Sequence, residues 1–265
     1  MINHTFAVLA FETSPYLENC ILSIKNQTIK SEIIITTSTP NEYIKEIANK
    51  YSIRLYINNR KDIASDWNFP FTKCKTKYLT LAHQDDIYLP EYSEEITGLL
   101  EKRSNSLIGF TGYYEIREIK NNDYSVIKPN LNLLVKKLLI RISFKEKNYI
   151  NDKRAKRFLL MFGNPIPCPS ACYNLKKLMN ERFSNSFSIN LDWDMWERLS
   201  AIKGEFINTN KSLLLHRIHS GSETTSGIVS KKRYKEDLRI FLRFWPRYFA
   251  KIISLIYSLS YLSNK

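Results

Sequence analysis

Two adjacent carboxylates, Asp85 and Asp86, follow a short apolar strand predicted over residues 78–82. They end the tetrapeptide 83–86, His-Gln-Asp-Asp, and a helix is predicted a few residues later. Neighbouring carboxylates repel each other, and neither is stable in an apolar environment without a partner. A divalent cation removes this cost, and such oxygen ligands suit Mg²⁺ or Mn²⁺, which often take further ligands from phosphates. The alternative is a solvated turn in which one Asp caps the helix.

A second pair of carboxylates, Asp192 and Asp194, flanks Trp193 at the start of a predicted helix. The helix dipole stabilises a carboxylate in the first turn and lowers its pKa, whereas burial against a tryptophan raises it. A carboxylate whose pKa is adjusted in this way can serve as a general base. The alternative is an ordinary helix cap, with Asp192 capping and Asp194 in the first turn.

Cationic candidates stand in the polar segment that follows the apolar run 213–215. Arg217 and His219 could bind a diphosphate, and His219 could also coordinate a metal ion. His216 is expected to be a packed or surface residue. The following Ser-Gly-Ser, residues 220–222, would give the segment the freedom to close over a substrate. In the Pro-rich stretch 163–170, Asn164 and Ser170 are candidates for the acceptor side.

The elements that must position these residues alternate between strands and helices in the first half of the chain. Strands are predicted at 6–11, 32–36, 53–57 and 78–82, and helices at 16–26 and 63–73. Another helix is predicted to begin with Thr39 as cap and Pro40 in its first turn. The strands are apolar throughout, which predicts a parallel sheet covered on both faces. Ligands of such sheets bind beyond the carboxyl ends of the strands, where residues 83–86 would lie.

The alternation fades after about residue 115. A helix is predicted within residues 129–157, and Leu133 and Ile140 fall on the opposite face from its apolar stripe. The stripe consists of Leu131, Leu134, Val135, Leu138, Leu139 and Ile142.

Composition restricts the classes of protein to which the chain can belong. It has 265 residues and 43% hydrophobic content, which is enough for a sizeable core and argues against disorder. It has only seven glycines and no glycine-rich phosphate loop. Its four cysteines lack disulfide-framework or zinc-ribbon spacing; Cys168 and Cys172 could be a metal pair, but two small core residues fit better. With no signal or transit peptide visible, a reducing, cytoplasmic setting is expected.

The net charge of +14 is concentrated toward the end of the chain. Residues 229–265 hold nine Lys and Arg against two Asp and Glu. Such a basic tail suggests an anionic surface, such as nucleic acid, acidic lipid or a phosphorylated substrate. Its apolar part is too short to cross a bilayer. A helix lying in the membrane interface and a helix packed on the domain are both compatible with its sequence.

Taken together, these segments resemble the family 2 glycosyltransferases, which have the GT-A fold. The resemblance covers about residues 6–225. It rests on five segments in order: the opening strand and helix 6–28; Asp66-Trp67-Asn68; His83-Gln84-Asp85-Asp86 in the place of the DXD motif; the acidic helix 190–199; and the Arg-x-His segment 216–222.

The resemblance implies an α/β GT-A fold with a Rossmann-like, mostly parallel sheet flanked by helices, followed by a helical basic tail. Residues 1–228 would form the transferase domain, with a nucleotide-sugar-binding half at 1–115 and an acceptor half at 116–228. It implies an inverting transferase that moves a sugar from a nucleotide diphosphate sugar to a glycan hydroxyl. Asp192 would be the base, and Asp85, Asp86 and His219 would bind Mn²⁺ or Mg²⁺. The donor-binding residues would be Ala10, Phe11, Glu12, Thr37, Asp66, Asn68, His83, Gln84, Asp85, Arg217 and His219.

The chain departs from the family pattern at the end of the second strand. The family has Asp-Asp-Gly-Ser there, whereas this chain has Thr-Thr-Ser-Thr at residues 36–39. The carboxylate that helps to hold the nucleotide base is therefore missing, and Thr37 or Glu12 would have to substitute for it. The nucleotide is left open by this departure.

Two other functions remain as alternatives. A nucleotidyltransferase on a similar sheet would need a glycine-rich basic loop after the first strand, which residues 10–15 lack. A nucleic-acid-binding protein would fit the charge, but no recognition motif is present, so no nucleic acid is expected. The expected partners are a sugar nucleotide, a glycan acceptor that could be lipid-linked, and an anionic membrane contacted by the tail. The expected location is cytoplasmic, with peripheral contact to the inner face of the cell membrane.

Overall fold

One mixed β-sheet organises the computed structural model, which describes residues 2–118, 124–178, 180–219, 232–259 and 261. The strands are β1 His4–Leu9, β2 Glu32–Thr37, β3 Arg54–Ile57, β4 Tyr78–His83, β5 Ile87–Tyr88, β6 Ser106–Glu118, β7 Tyr124–Val126, β8 Tyr149–Ile150, β9 Cys172–Asn174 and β10 Glu205–Arg217. The helices are α1 Leu17–Lys25, α2 Glu42–Lys50, α3 Ile63–Lys73, α4 Tyr92–Lys102, α5 Leu131–Phe144, α6 Lys153–Leu160, α7 Leu175–Leu178, α8 Leu191–Ala201, α9 Lys232–Phe241 and α10 Arg247–Ser258.

The first four strands form the predicted parallel unit. They lie in the order β3-β2-β1-β4, and each neighbouring pair is parallel. Leu9 at the end of β1 is opposite Thr36 of β2 and His83 of β4. The carboxyl ends of these strands therefore meet at one edge, as the sequence predicts.

The second half of the sheet is mixed. Strand β9 runs antiparallel between β4 and β6, and β10 runs parallel to β6. The short strand β5 pairs with β10 through Ile87–Leu215 and Tyr88–Leu214. This pairing brings the end of β10, with Arg217, next to the turn that contains Asp85 and Asp86. The α/β class and the GT-A architecture are confirmed, and the parallel pairs predominate in the first half.

The sheet is buried on both faces. Phe6 and Val8 of β1 pack in one hydrophobic cluster, together with α1 and α2, while Ala7 packs in the other. Alternate residues of a strand point to opposite faces, so an entirely apolar strand is what a two-sided core requires.

The predicted start of α2 is wrong by two residues. Asn41 is the cap, and its side-chain oxygen accepts a hydrogen bond from Ile44 N at 2.9 Å. Thr39 is unavailable for capping because its hydroxyl accepts the backbone N–H of Glu12 at 2.6 Å. Thr39 therefore ties the loop after β1 to the loop after β2.

The apolar stripe predicted for α5 is mostly exposed, although amphipathic packing would turn it toward the domain. Leu133 and Leu139 are buried, whereas five residues of the predicted stripe are exposed. These are Leu131, Leu134, Val135, Leu138 and Ile142. The periodicity located the helix correctly, but both of its faces are apolar, so periodicity alone could not tell which one packs on the domain.

The two C-terminal helices pack on the rest of the domain. Phe241 of α9 and Ala250 of α10 are buried in the same hydrophobic cluster as Trp193 of α8. Tyr257 of α10 lies 5.6 Å from Trp193, measured between ring centroids. In the part of the chain that the structure describes, no helix is both long and apolar enough to cross a bilayer.

Candidate active site

The turn between β4 and β5 gathers three groups that can bind a metal ion. One ligand atom from each of His83, Asp85 and Asp86 lies within 4.8 Å of the others. His83 ends β4, and the two carboxylates follow in the turn. The parallel pairing of β4 with β1 places this turn at the carboxyl edge of the sheet.

Asp86 is fully buried and half satisfied. Its Oδ1 accepts hydrogen bonds from His216 Nδ1 at 2.9 Å and from the backbone N–H of Arg217 at 3.1 Å. Its Oδ2 is buried, and no described residue offers it a hydrogen bond. Burial lowers the pKa of His216, but the charge and hydrogen bond of Asp86 outweigh burial and raise it to about 9. His216 is therefore a charged partner of Asp86, not the packed or surface residue that the sequence suggested.

Asp85 is paired with His219. His219 Nε2 lies 2.8 Å from Asp85 Oδ2. Burial alone would raise the pKa of Asp85, but the hydrogen bond from His219 and the nearby imidazoles outweigh burial and lower it. Asp85 is consequently held as an anion, the form that a cation requires.

Arg217 brings a buried cation to the same place. Only 1% of its surface is exposed, and its Nε donates to the backbone oxygen of Asp85 at 3.1 Å. Its guanidinium lies 4.3 Å from the ring centroid of Tyr16, and its buried Nη2 has no hydrogen-bond partner in the part of the chain that the structure describes. Because a buried donor without a partner is costly, this nitrogen is poised for an anionic ligand.

The chemistry of the donor set fits a divalent cation. His83 Nε2 and Asp86 Oδ2 are both buried, and neither has a hydrogen-bond partner among residues 2–118, 124–178, 180–219, 232–259 and 261. Burial lowers the pKa of His83 despite the nearby carboxylates, so the ring is neutral and can offer a lone pair. Asp85 supplies an ionised carboxylate beside them. Carboxylate ligands suit Mg²⁺ and Mn²⁺, whereas imidazole is a ligand of transition metals.

A cavity of about 620 Å³ lies beyond the ends of β1, β2 and β3. Residues 83–86 of the metal-ligand cluster are not among the residues that line it. Its walls are Glu12, Thr13, Ser38, Thr39, Pro40, Asn41, Ile57, Asn58, Asn59 and Lys61. Most of the lining residues are polar, and the cavity is open to solvent.

Two predicted donor-binding residues support the wall of this cavity. Asp66 accepts hydrogen bonds from Ser38 Oγ at 2.7 Å and from Asn58 Nδ2 at 2.8 Å. The Thr37 hydroxyl accepts the backbone N–H of Thr39 at 3.0 Å. Both therefore orient residues of the wall, and Ser38 and Asn58 are largely buried side chains within that wall.

The loop after β1 connects the cavity to the metal-ligand cluster. Gln84 accepts the N–H of Phe11 at 2.9 Å and donates to its carbonyl at 3.0 Å. Ala10 is buried and donates to Thr36 O at 2.9 Å, so this loop is held from both sides. Glu12 adopts a left-handed backbone conformation with φ of 50°.

Asn68 lies apart from this loop and binds the backbone of Phe183. Its amide donates to the Phe183 carbonyl at 2.8 Å and accepts the Phe183 N–H at 2.9 Å. Both the oxygen and the nitrogen of the Asn68 amide are occupied, so this side chain links α3 to the segment around Phe183.

Asp192 lies in the first turn of α8 in a protected position. Its Oδ2 accepts from Asn164 Nδ2 at 2.7 Å, and its Oδ1 accepts the N–H of Trp193 at 2.7 Å. Burial raises the pKa of Asp192 to about 6, against the Trp193 hydrogen bond and the charges of Arg233 and Lys136, which lower it. A carboxylate with this pKa can accept a proton near neutral pH.

Asp194, two residues further along α8, has a different environment. It pairs with Arg198 at 3.1 Å and with Arg243 of the loop after α9 at 2.8 Å. These ion pairs connect α8 to the C-terminal helices.

Asp86 of the metal-ligand cluster and Asp192 both act electrostatically on one buried side chain, that of Cys168. The buried thiol of Cys168 has its pKa raised by burial and also by the charges of Asp192 and Asp86, so it lies within electrostatic range of both. Cys168 and Cys172 are buried free cysteines. Sequence reasoning missed Tyr16, which faces both Arg217 and His219. It also missed Asn58, since neither residue belongs to a motif. The predicted lid at 220–222 lies outside the described residues.

Comparison with known proteins identifies relatives of this chain. The model of the family "Glycosyl transferase family 2" matches residues 5–183. An uncharacterized glycosyltransferase of Rickettsia conorii is 25% identical over 228 residues, which cover 83% of this chain and 35% of that protein. An uncharacterized glycosyltransferase of Rickettsia prowazekii is 23% identical over 232 residues, covering 86% of this chain and 68% of that protein.

The fold is shared with a solved structure. The crystal structure of S. aureus TarS 1–349 superposes with a TM-score of 0.64 at 11% identity, covering 96% of this chain and 69% of that one. The same TarS fragment in complex with UDP-GlcNAc gives a TM-score of 0.63 at 12% identity, covering 96% of this chain and 70% of that one. The chain thus spans about a third of the R. conorii relative and about two thirds of the others. Since the family model matches well over half of its length, the chain belongs to glycosyl transferase family 2.

Proposed function

We propose that this glycosyltransferase moves a sugar from a nucleoside diphosphate sugar to a hydroxyl group of a glycan, with inversion at the anomeric carbon. The observation that carries the proposal is the buried Arg217, whose Nε donates to the backbone oxygen of Asp85 and whose Nη2 has no hydrogen-bond partner among the described residues. A cation next to a metal-ligand set is an arrangement suited to a diphosphate. The TarS structures with UDP and with UDP-GlcNAc concern a protein of the same fold, and they support a uridine nucleotide as the first donor to test.

In this proposal the cavity beyond β1–β3 takes the nucleoside, through Glu12, Thr37 and the Asn58 that Asp66 orients. Asp85 would hold Mn²⁺ or Mg²⁺, with Asp86 and His219 as further candidate ligands, and His83 fits the same role. When bound, the cation would stabilise the charge that builds on the leaving diphosphate. Arg217 and His219 contribute positive charge or hydrogen bonds to the same group.

Asp192 acts as the general base in this proposal. The acceptor hydroxyl gives its proton to Asp192 while its oxygen attacks the anomeric carbon, and the diphosphate leaves from the opposite side. A single displacement inverts the configuration. Asn164 and Trp193 orient the carboxylate.

The acceptor is proposed to be a glycan of a bacterial surface polysaccharide or glycoconjugate, and a lipid-linked form would suit contact of the basic tail with an anionic membrane. Under this proposal the enzyme works in the cytoplasm, peripheral on the inner face of the membrane. The basic charge of residues 229–265 supports it.

The experiment is a thermal-stability screen of nucleoside diphosphate sugars with and without Mn²⁺. A donor should raise the melting temperature of the wild type with metal and much less without it, because binding to the folded state stabilises it. Asp85→Ala should lose the metal-dependent part and should abolish transfer. Asp152→Ala, which removes an exposed helix cap, is the control for general loss of a carboxylate. Near wild-type transfer by Asp85→Ala in the presence of chelator would rule out the proposed metal site.

A further inference from the structure

Helix α5 exposes a row of large apolar side chains. Leu131, Leu134, Leu138 and Ile142 follow the spacing of one helical face, and 76% of Leu131 is exposed. Val135 extends the same face. An exposed apolar stripe of this length costs free energy in water, so it marks a surface that is covered in use.

Helix α10 exposes a second row. Tyr248, Ile252, Leu255 and Leu259 follow one another at helical spacing, with 73% of Tyr248 exposed, and Phe249 and Ile256 lie beside them. The opposite face of α10, at Ala250 and Ser254, is buried against the domain. One face of the helix is therefore packed on the domain, and the other is covered by none of the described residues.

The charged residues within these two helices are all positive. On α5, Lys137, Arg141 and Lys145 are exposed and lie next to the apolar row at four-residue spacing. Arg247 and Lys251 do the same on α10. Neither residues 131–145 nor residues 238–265 contain an Asp or Glu. Long basic side chains beside an apolar face are typical of helices that lie in the headgroup layer of a membrane.

We propose that α5 and α10 together form a surface that binds an anionic lipid bilayer. The apolar rows enter the interface, and the basic rows pair with acidic headgroups. This deepens the proposed membrane contact by adding α5 to the tail, and it rests on the proposed function only for the identity of the acceptor.

The same two helices border the candidate base, which gives the surface a purpose. Lys136, on the inner side of α5, donates to Tyr113 Oη at 3.0 Å, and its charge acts on the Asp192 carboxylate. Tyr257 of α10 packs against Trp193 and is so close to Gly163 that a Cβ there would lie 2.8 Å from its ring. Gly163 precedes Asn164, the partner of Asp192. An acceptor carried by a lipid would thus meet the enzyme on the side where its base lies.

The test is cosedimentation of the full chain with vesicles of phosphatidylcholine alone or with added phosphatidylglycerol. The wild type should bind the anionic vesicles, and high salt should weaken the binding. Leu134→Gln with Leu138→Gln should weaken it by about tenfold or more, because two side chains leave the apolar row. Lys137→Glu with Arg141→Glu should weaken binding to anionic vesicles and remove most of its salt dependence.

The matched control is Leu22→Gln with Ile29→Gln, two exposed apolar residues at and beyond α1. It should bind vesicles as the wild type does. All variants should keep the melting temperature and the sugar-nucleotide binding of the wild type, so loss of fold is measured separately. Equal vesicle binding by the α5 variant and the wild type would overturn the inference, whatever the donor assay shows. A wild-type dimer that the α5 variant converts to a monomer, with no vesicle binding by either, would assign the face to a second copy instead. Vesicle binding without sugar-nucleotide binding would support the surface and contradict the proposed function alone.

Discussion

The Asp192 carboxylate is partly buried and has hydrogen-bond partners on both of its oxygens. Burial raises its pKa to about 6, and Asn164 and the Trp193 N–H hold both of its oxygens. A base of this kind is ionised at neutral pH, yet it accepts a proton more readily than an exposed Asp. The rate should therefore depend on the protonation of this one residue.

Asp192→Asn should lower the transfer rate by about 10² or more, since general-base catalysis is of that order. In the wild type, the rate should fall as the pH drops below about 6, because the folded-state pKa of Asp192 is about 6. The measurement is a pH–rate profile together with donor affinity, which should be nearly unchanged in the variant. Asp194→Asn is the matched control: it should lower stability through its ion pairs and leave the pH profile as it is. A profile with no break near pH 6 would remove Asp192 from the proton transfer.

The same carboxylate should cost stability. The folded-state pKa of Asp192, about 6, lies above its unfolded value of 3.8, so folding favours the protonated form. This contribution is fully present below the unfolded pKa and is lost as the pH rises through the folded one. Asp192→Asn should therefore gain stability relative to the wild type between pH 4 and pH 7, as measured by urea unfolding. A difference that stays constant over this range would contradict the raised pKa.

Residue types and local order were enough to predict the carboxylates and cations of the site, because Asp85, Asp192 and Arg217 stand in ordered motifs. Their partners were not predictable. Tyr16 meets Arg217 across about two hundred positions of the chain. The charge state of His216 depends on Asp86, which lies 130 positions away in sequence. Such contacts follow from the β5–β10 pairing, and no local pattern encodes them.

At the level of elements, local rules worked wherever one face of an element had to be buried. The first four strands were predicted within one or two residues at each end because apolar runs between helices leave few alternatives. Helix α5 was located by its spacing, but its orientation depends on what the rest of the domain covers, and both of its faces are apolar. The start of α2 failed for a different reason, since a loop contact occupies the Thr39 hydroxyl.

The cap of α2 links helix stability to the proposed donor cavity. Asn41 caps α2 through its oxygen, and its amide donates to Glu12 O at 3.1 Å. Asn41→Ala should lower the free energy of unfolding by about 1 kcal/mol, a typical value for a lost cap. Asn41→Asp keeps a capping oxygen but loses the donor, so it should keep most of the stability and still weaken sugar-nucleotide binding. Urea unfolding and donor titration separate the two effects. Equal donor affinity for Asn41→Asp and the wild type would show that the Glu12 loop is held without Asn41.

For the whole molecule, the C-terminal helices complete the core around α8. Glu236 of α9 accepts the backbone N–H groups of Ser188, Ile189 and Asn190, and the Ser188 hydroxyl, at 2.8 to 3.1 Å. These hydrogen bonds fix the segment that leads into α8 and Asp192. Burial raises the pKa of Glu236, but the hydrogen bonds outweigh burial and lower it.

The basic tail therefore should not behave as a detachable anchor. Deleting residues 229–265 removes Phe241 and Ala250 from the core, and Trp193 loses its ring contacts with Phe241 and Tyr257. The melting temperature should therefore fall by many degrees. Glu236→Ala, with the helices kept, should lower transfer more than donor affinity, because α8 with Asp192 loses its support while the donor cavity lies on the other half of the sheet. Glu236→Gln retains part of the accepting capacity and should fall between Ala and the wild type. Differential scanning calorimetry of the deletion, with donor titration and rates for the two point variants, measures all three. A deleted chain that melts like the wild type and transfers sugar to a soluble acceptor would show that the packing of α9 and α10 adds little to the domain.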